Sequence, residues 1–197
     1  MPPRVDIRAL LLIALDEKPP PNLPDKVMAR VAALTTMVEF ARMLGAVTII
    51  TSGNEAKLAR ARAMGADDGI DYRAVPDWSR EVRRISPSGA DLVIDVGGAA
   101  TLAQSLRAVR VGGTISLIGV LSGALAELDL GRVVTQSVRL NGVTLGPRAA
   151  FEDMVRAIEL HRLAPAIDAR RYGFAETAAA IAAIEEGRHF GKICIEF

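Results

Sequence analysis

The sequence predicts the α/β class, with a doubly wound, mostly parallel sheet covered by helices on both faces. Three observations carry that prediction. The strand candidates are continuous apolar runs, such as VTIIT and DLVIDV, which suits strands buried on both sides. They alternate with helical segments of ten to thirteen residues, the rhythm of parallel β-α-β units. Glycines also follow several of the runs, where such sheets place their ligands.

Taken in order, Ala9 to Leu15 (ALLLIAL) is a short apolar run that can supply a first strand. At seven residues it falls far short of the roughly 20 that span a bilayer. Arg4 and Arg8 give it the look of a signal peptide, but Asp16, Glu17, Lys18 and three prolines stand where small residues for cleavage belong. Residues 16–26 (DEKPPPNLPDK) read as an extended linker, because consecutive prolines fit neither a helix interior nor a central strand. Residues 1–26 are therefore an N-terminal extension or an atypical first strand with its linker.

From Val27 the texture is regular. Val27, Val31, Leu34, Val38 and Ala41 recur at helical spacing up to Gly45, a natural C-terminal stop. Residues 47–51 form a β-branched strand, 54–64 a helix ending before Gly65, and 69–72 a short strand. Asp77 is placed to cap a helix that stops at Pro87 and Gly89. Strand 91–96, helix 101–109, a turn at Gly112–Gly113 and strand 114–120 follow. The remainder reads as strand 138–145, helices 149–161 and 175–186, and a last strand at 192–197.

Composition narrows the function classes. Of 197 residues, 50% are hydrophobic and 24% charged, enough apolar material for a large core. Twenty-four Lys and Arg against 23 Asp and Glu leave a net charge of +1, so no global field draws the chain to nucleic acid or to an acidic membrane. The single cysteine, Cys194, closes no internal disulfide, and a reducing, cytoplasmic setting is expected. His161, His189 and Cys194 do not stand at metal-ligand spacing, and no zinc is expected in this chain. Gly187 to Lys192 (GRHFGK) is one residue short of a phosphate-binding P-loop and precedes a strand instead of following one.

A dinucleotide-binding fold ordinarily runs its first strand into G-x-G-x-x-G, whose backbone cradles the pyrophosphate at a helix N-terminus. No G-x-G occurs here; the corresponding loop holds prolines and Asp25, whose carboxylate would repel phosphate. Other pieces nonetheless carry a resemblance. FARMLGAVTIITSGNEAKLARARAMGADDGIDYR, DLVIDVGG, LRAVRVGGTISLIGVLSG and the ending GRHFGKICI, in that order and spacing, are similar to the cofactor half of the medium-chain dehydrogenase/reductase superfamily. That is the superfamily of zinc-type alcohol dehydrogenases and quinone reductases.

The resemblance implies a Rossmann-like domain over residues 27–161, and a helix and strand at 162–197 that in the family return to a catalytic domain. It implies hydride transfer between a nicotinamide and a carbonyl, alcohol, enone or quinone. Thr51, Ser52 and Lys57 match the end of the second strand. Hydroxyls and a lysine in place of an acid there favour NADP(H) over NAD(H); the competing reading is a helix cap with a solvated lysine. Tyr72 matches a position near the adenine ribose, and Gly97 and Gly98 the turn the cofactor crosses. Ile118, Gly119 and Val120 match the strand end beside the nicotinamide riboside. Leu145, Gly146 and Arg148 match the segment that meets the carboxamide, where Pro147 removes a backbone N–H. Lys192 matches a basic residue near the 2′-phosphate, or is a surface lysine opening a strand. No catalytic residue is assigned.

Intact family members are about twice this length by domain arithmetic. The chain thus reads as a cofactor half that binds dinucleotide weakly and does not turn over alone. Loss of the glycine loop removes hydrogen bonds worth about 1.5–3 kcal/mol each. The alternatives are a non-catalytic dimerisation module or a nucleotide sensor. Strand 138–145 matches the edge through which family members pair, so a homodimer is expected, and a mean hydropathy of +0.26 points the same way.

Overall fold

The computed structural model describes residues 9–13, 33–187 and 189–197. The Pro-rich linker at 16–26, the start of the first helix at 27–32 and most of the glycine-free loop lie outside them.

Six parallel strands form the main sheet: β1 (Ala9–Ile13), β2 (Val47–Ser52), β3 (Asp68–Asp71), β4 (Ala90–Asp95), β5 (Val109–Leu117) and β6 (Arg139–Gly142). Their spatial order is β3-β2-β1-β4-β5-β6. The first strand is central, with Ala9 opposite Val47 on one side and Ile13 opposite Asp95 on the other. Strand order therefore reverses between β1 and β4, the point at which such sheets open a crevice beyond their C-terminal ends.

Helices α1 (Ala33–Met43), α2 (Glu55–Ala63), α3 (Trp78–Ile85) and α4 (Ala99–Ala108) cover the two faces. Alternation along the strands sends neighbours to opposite sides. Ile49 and Val93 join Trp78, Val82, Leu102 and Leu106 on one face. Ile50 and Ile94 join Val38, Ala41, Leu58 and Ala61 on the other. This double burial is what makes the strands read as unbroken apolar runs.

Several boundaries differ from the sequence expectation, each for a local reason. Asp77 precedes α3, but its carboxylate accepts the Ser79 hydroxyl at 2.9 Å and bonds none of the helix N–H groups; Gln104 Oε1 takes the Ser79 N–H at 3.0 Å instead. Strand β5 begins at Val109, ahead of the expected turn, with an irregular register around Gly112 (φ +67°) before Thr114 pairs with Leu92. It ends at Leu117, so Ile118–Val120 lie beyond it. Strand β6 is only four residues long, not 138–145, because β5 offers no partner past Leu117; Val143 N makes the last such bond, to Leu117 O at 2.9 Å.

Two elements were not expected. Helix α5 (Leu130–Thr135) is a short turn capped by Asp129, whose carboxylate accepts the Arg132 N–H at 3.0 Å. After α6 (Arg148–His161), strand β7 (Ile167–Gly173) pairs in parallel with β8 (Lys192–Glu196), with α7 (Thr177–Glu185) between them. The C-terminal part is thus a small second sheet, not just a helix and a strand.

Candidate functional site

The C-terminal ends of β2, β4 and β5 share one edge of the sheet, and most of the matched residues sit there. The β4 end is organised by Asp95, which is fully buried. Its Oδ1 accepts the Gly98 N–H at 3.1 Å and the Thr101 hydroxyl at 2.6 Å; its Oδ2 accepts the Ser105 hydroxyl at 2.6 Å. A buried carboxylate is tolerated only when its oxygens are satisfied in this way. The bonds fix the Gly97–Gly98 turn, where Gly98 adopts φ +84°, a conformation that glycine takes without strain.

The segment after β5 is stitched to that turn. Ile118 N bonds Asp95 O at 2.9 Å, Ser122 N bonds Gly97 O at 2.8 Å, and Ser122 Oγ donates to the same carbonyl at 2.7 Å. In return, Gly123 O accepts Ala99 N at 3.1 Å and Ser122 Oγ accepts Ala100 N at 2.8 Å, closing the first turn of α4. Gly119 makes this packing possible: a Cβ there would stand 2.5 Å from Val96 O. Val120 is exposed at the rim.

At the β2 end, Thr51 and Ser52 are buried. Ser52 Oγ accepts the Asn54 N–H at 3.1 Å, and Asn54 Oδ1 caps α2 through Lys57 N at 3.2 Å. Lys57 is buried and not solvated: its Nζ donates to Gly187 O at 2.6 Å, 130 residues away. Tyr72, just past β3, returns to the same place, with its backbone N–H on Ser52 O at 3.2 Å and its ring beside Gly53.

The remaining matched residues are placed apart from these. Leu145, Gly146 and Arg148 follow β6 and are exposed; Arg148 pairs with Glu152 at 2.7 Å within α6. Lys192 opens β8 in the second sheet. It is half-buried, not a surface lysine, and that burial lowers its ammonium pKa. The turn before it leans on α2 through Lys57 and through Arg60, whose guanidinium lies 4.0 Å from the Phe190 ring centroid.

A cleft of about 400 Å³ opens at the opposite edge, where α1 and α2 end. It is lined by Glu39, Arg42, Met43, Met64 and residues 161–164. Burial raises the Glu39 pKa, partly offset by the Ala164 N–H. Among the described residues, no group of three His, Cys, Asp or Glu side chains could hold a metal ion, and these residues do not fit a zinc site. No helix among them is long and apolar enough to cross a membrane.

The sequence reading missed Asp95, although its signal was available. Thr101 and Ser105 stand four apart on one face of a helix, just after an acid at a strand end.

Comparison with known proteins agrees with this architecture. The family model described as zinc-binding dehydrogenase matches residues 35–160. A zinc-type alcohol dehydrogenase-like protein of Schizosaccharomyces pombe is 29% identical over 82% of this chain and 48% of its own length. One from Leptosphaeria maculans is 28% identical over 96% of this chain and 54% of its own. The crystal structure of an NAD-dependent alcohol dehydrogenase superposes with a TM-score of 0.81 at 28% identity, covering 98% of this chain and 51% of that one. A mycobacterial protein solved with NADPH shares the fold alone, at 22% identity and a TM-score of 0.73 over 95% of this chain and 56% of its own. The chain spans about half the length of these relatives. With its model matched over most of the six-stranded unit, the chain belongs to the zinc-binding dehydrogenase family.

Proposed function

We propose that the C-terminal edge of the six-stranded sheet binds a nicotinamide dinucleotide, NADP(H) in preference to NAD(H), as the cofactor part of an oxidoreductase. The observation that carries this reading is the strand order, which reverses between β1 and β4 above an edge rimmed by glycine turns. The adenosine end would lie at Thr51, Ser52 and Tyr72, and the nicotinamide end at Gly97, Gly98 and Ile118–Val120. Leu145, Gly146, Arg148 and Lys192 are secondary candidates, set on the β6 loop and the second sheet.

When bound, the nicotinamide supplies the hydride exchanged with a carbonyl, alcohol, enone or quinone. This chain's part is orientation. Asp95 holds the Gly97–Gly98 turn rigid, and the bonds from Ile118 and Ser122 keep the two loops at fixed separation. A rigid turn positions a ring without ordering cost at the moment of binding.

In the 197-residue chain, binding is weak and turnover absent, because the loop before α1 carries prolines and an acid where a pyrophosphate cradle needs glycine N–H groups. A cytoplasmic address belongs to the same reading. The test is titration with NADPH and NADH, followed by energy transfer from the buried Trp78 and by calorimetry. The expected result is an NADPH dissociation constant on the order of 0.1–1 mM, tighter than NADH, with no alcohol or quinone turnover. Absence of binding at millimolar NADPH would remove the reading.

A second reading, a non-catalytic module that dimerises or senses nucleotide, draws on the apolar surface near β6. Leu130, Val134 and Leu145 are 66%, 75% and 82% exposed beside a strand with one neighbour in the sheet. A dimer by sedimentation without nucleotide binding would favour it.

A further inference from the structure

The preference for NADP(H) rests, in the sequence, on the Thr51 and Ser52 hydroxyls, on Lys192, and on Lys57 as a cation for a 2′-phosphate. The structure directs that ammonium elsewhere, into the carbonyl of Gly187 and beneath the turn leading to β8. A second cation, Arg73, lies at the end of β2. A Cβ built on Gly53, the residue after β2, would lie 2.6 Å from Arg73 Nε and 2.9 Å from both Cζ and Oη of Tyr72. Two side chains from the end of β3 therefore fold back across the end of β2, and the absence of a side chain at residue 53 admits them.

Arg73 is exposed, and among the described residues its guanidinium meets no carboxylate and no carbonyl. Asp71 Oδ1 accepts the backbone N–H groups of Arg73 at 2.8 Å and Ala74 at 3.3 Å, and Glu55 pairs with Arg62 at 2.7 Å. No acid stands at Thr51, Ser52 or Gly53 to claim a ribose 2′-hydroxyl.

We propose that Arg73, held over Gly53 beside Tyr72, is the residue that selects a 2′-phosphorylated nucleotide in this chain, while Lys57 fastens the C-terminal turn to α2. The proposal rests on the dinucleotide reading above and deepens it. A guanidinium suits the task because its planar fork meets two phosphate oxygens at once, and it is less strongly hydrated than an ammonium.

The probes are 2′,5′-ADP and 5′-AMP, which differ only in the 2′-phosphate, titrated into the full 197-residue chain by calorimetry. The wild type binds 2′,5′-ADP more tightly. Arg73→Ala lowers that preference about tenfold and leaves 5′-AMP affinity unchanged, and Arg73→Lys retains part of it. An unchanged preference in Arg73→Ala overturns the proposal, as does a preference lost in Lys57→Met but kept in Arg73→Ala. Equal binding of both probes by the wild type also overturns it, and leaves the dinucleotide reading standing. Binding of neither probe brings down that reading together with this one.

Discussion

The six-stranded unit and the chain beyond β6 are built differently. The first encloses its own interior: both apolar clusters draw, among the described residues, only on positions up to Leu140. Beyond β6, the buried apolar residues are Tyr172, Ala180 and Phe190, while Leu145, Phe151, Leu160, Phe174 and Phe197 are exposed. Helix α6 has no buried residue along its 14 positions. A few polar ties fasten the second region: Lys57 to Gly187 O, and Arg60 against Phe190. The difference teaches that the sheet carries its fold and its candidate ligand edge by itself. Among the last fifty residues Phe151, Leu160, Phe174 and Phe197 are left exposed, and large apolar side chains favour association where they cluster.

Substitutions sharpen that contrast. The largest effect is expected in the sheet's core. Leu106 is 2% exposed between α4 and the strands, and Leu106→Ala costs about 2–5 kcal/mol in denaturant unfolding. Asp95→Ala follows, at about 2–4 kcal/mol. The hydroxyls of Thr101 and Ser105 retain carbonyl partners at 3.2 and 3.1 Å, but the Gly98 N–H is left buried without an acceptor. Its second consequence is weaker NADPH binding, because the turn loses its anchor.

Phe151, at 61% exposed on α6, is the counter-case. Phe151→Ser is expected to change stability by no more than about 0.5 kcal/mol in denaturant unfolding. A loss as large as that of Leu106→Ala would show that α6 shares the core, and would break the comparison.

The smallest effect concerns pH. Burial raises the folded-state pKa of Glu39, so its protonated form is favoured in the fold. The stabilising share is complete below the unfolded value of about 4.3 and is lost as pH rises through the folded value. Glu39→Gln therefore raises Tm slightly at pH 7, and the gain vanishes as pH falls below that range. An equal gain at both pH values would assign the effect to something other than this titration.

Much of the first region was legible because burial on both faces writes itself into composition. VTIIT and DLVIDV could only be inner strands, and Gly45 and Gly65, at φ +72° and +103°, stop their helices as expected. The second region was less so. In β7 only Tyr172 is buried, so IDARRYG shows no apolar face to read. α5 is six residues long and holds a glycine and two valines, which give it little helical propensity. At the candidate site, the glycine turns followed from the strand ends. The Lys57–Gly187 bond did not, since no local pattern links residues 130 apart. Arg73 escaped notice for the same reason: its place over Gly53 depends on the pairing of Ser52 with Asp71 across two strands.

The most direct test of the account is backbone amide exchange of the chain with and without saturating NADPH. Protection is predicted at residues 51–57, 95–101 and 117–123, the three strand ends of one edge, with none in residues 148–186. Protection confined to the cleft around Glu39, Arg42 and residues 161–164, or to the second sheet, would contradict it.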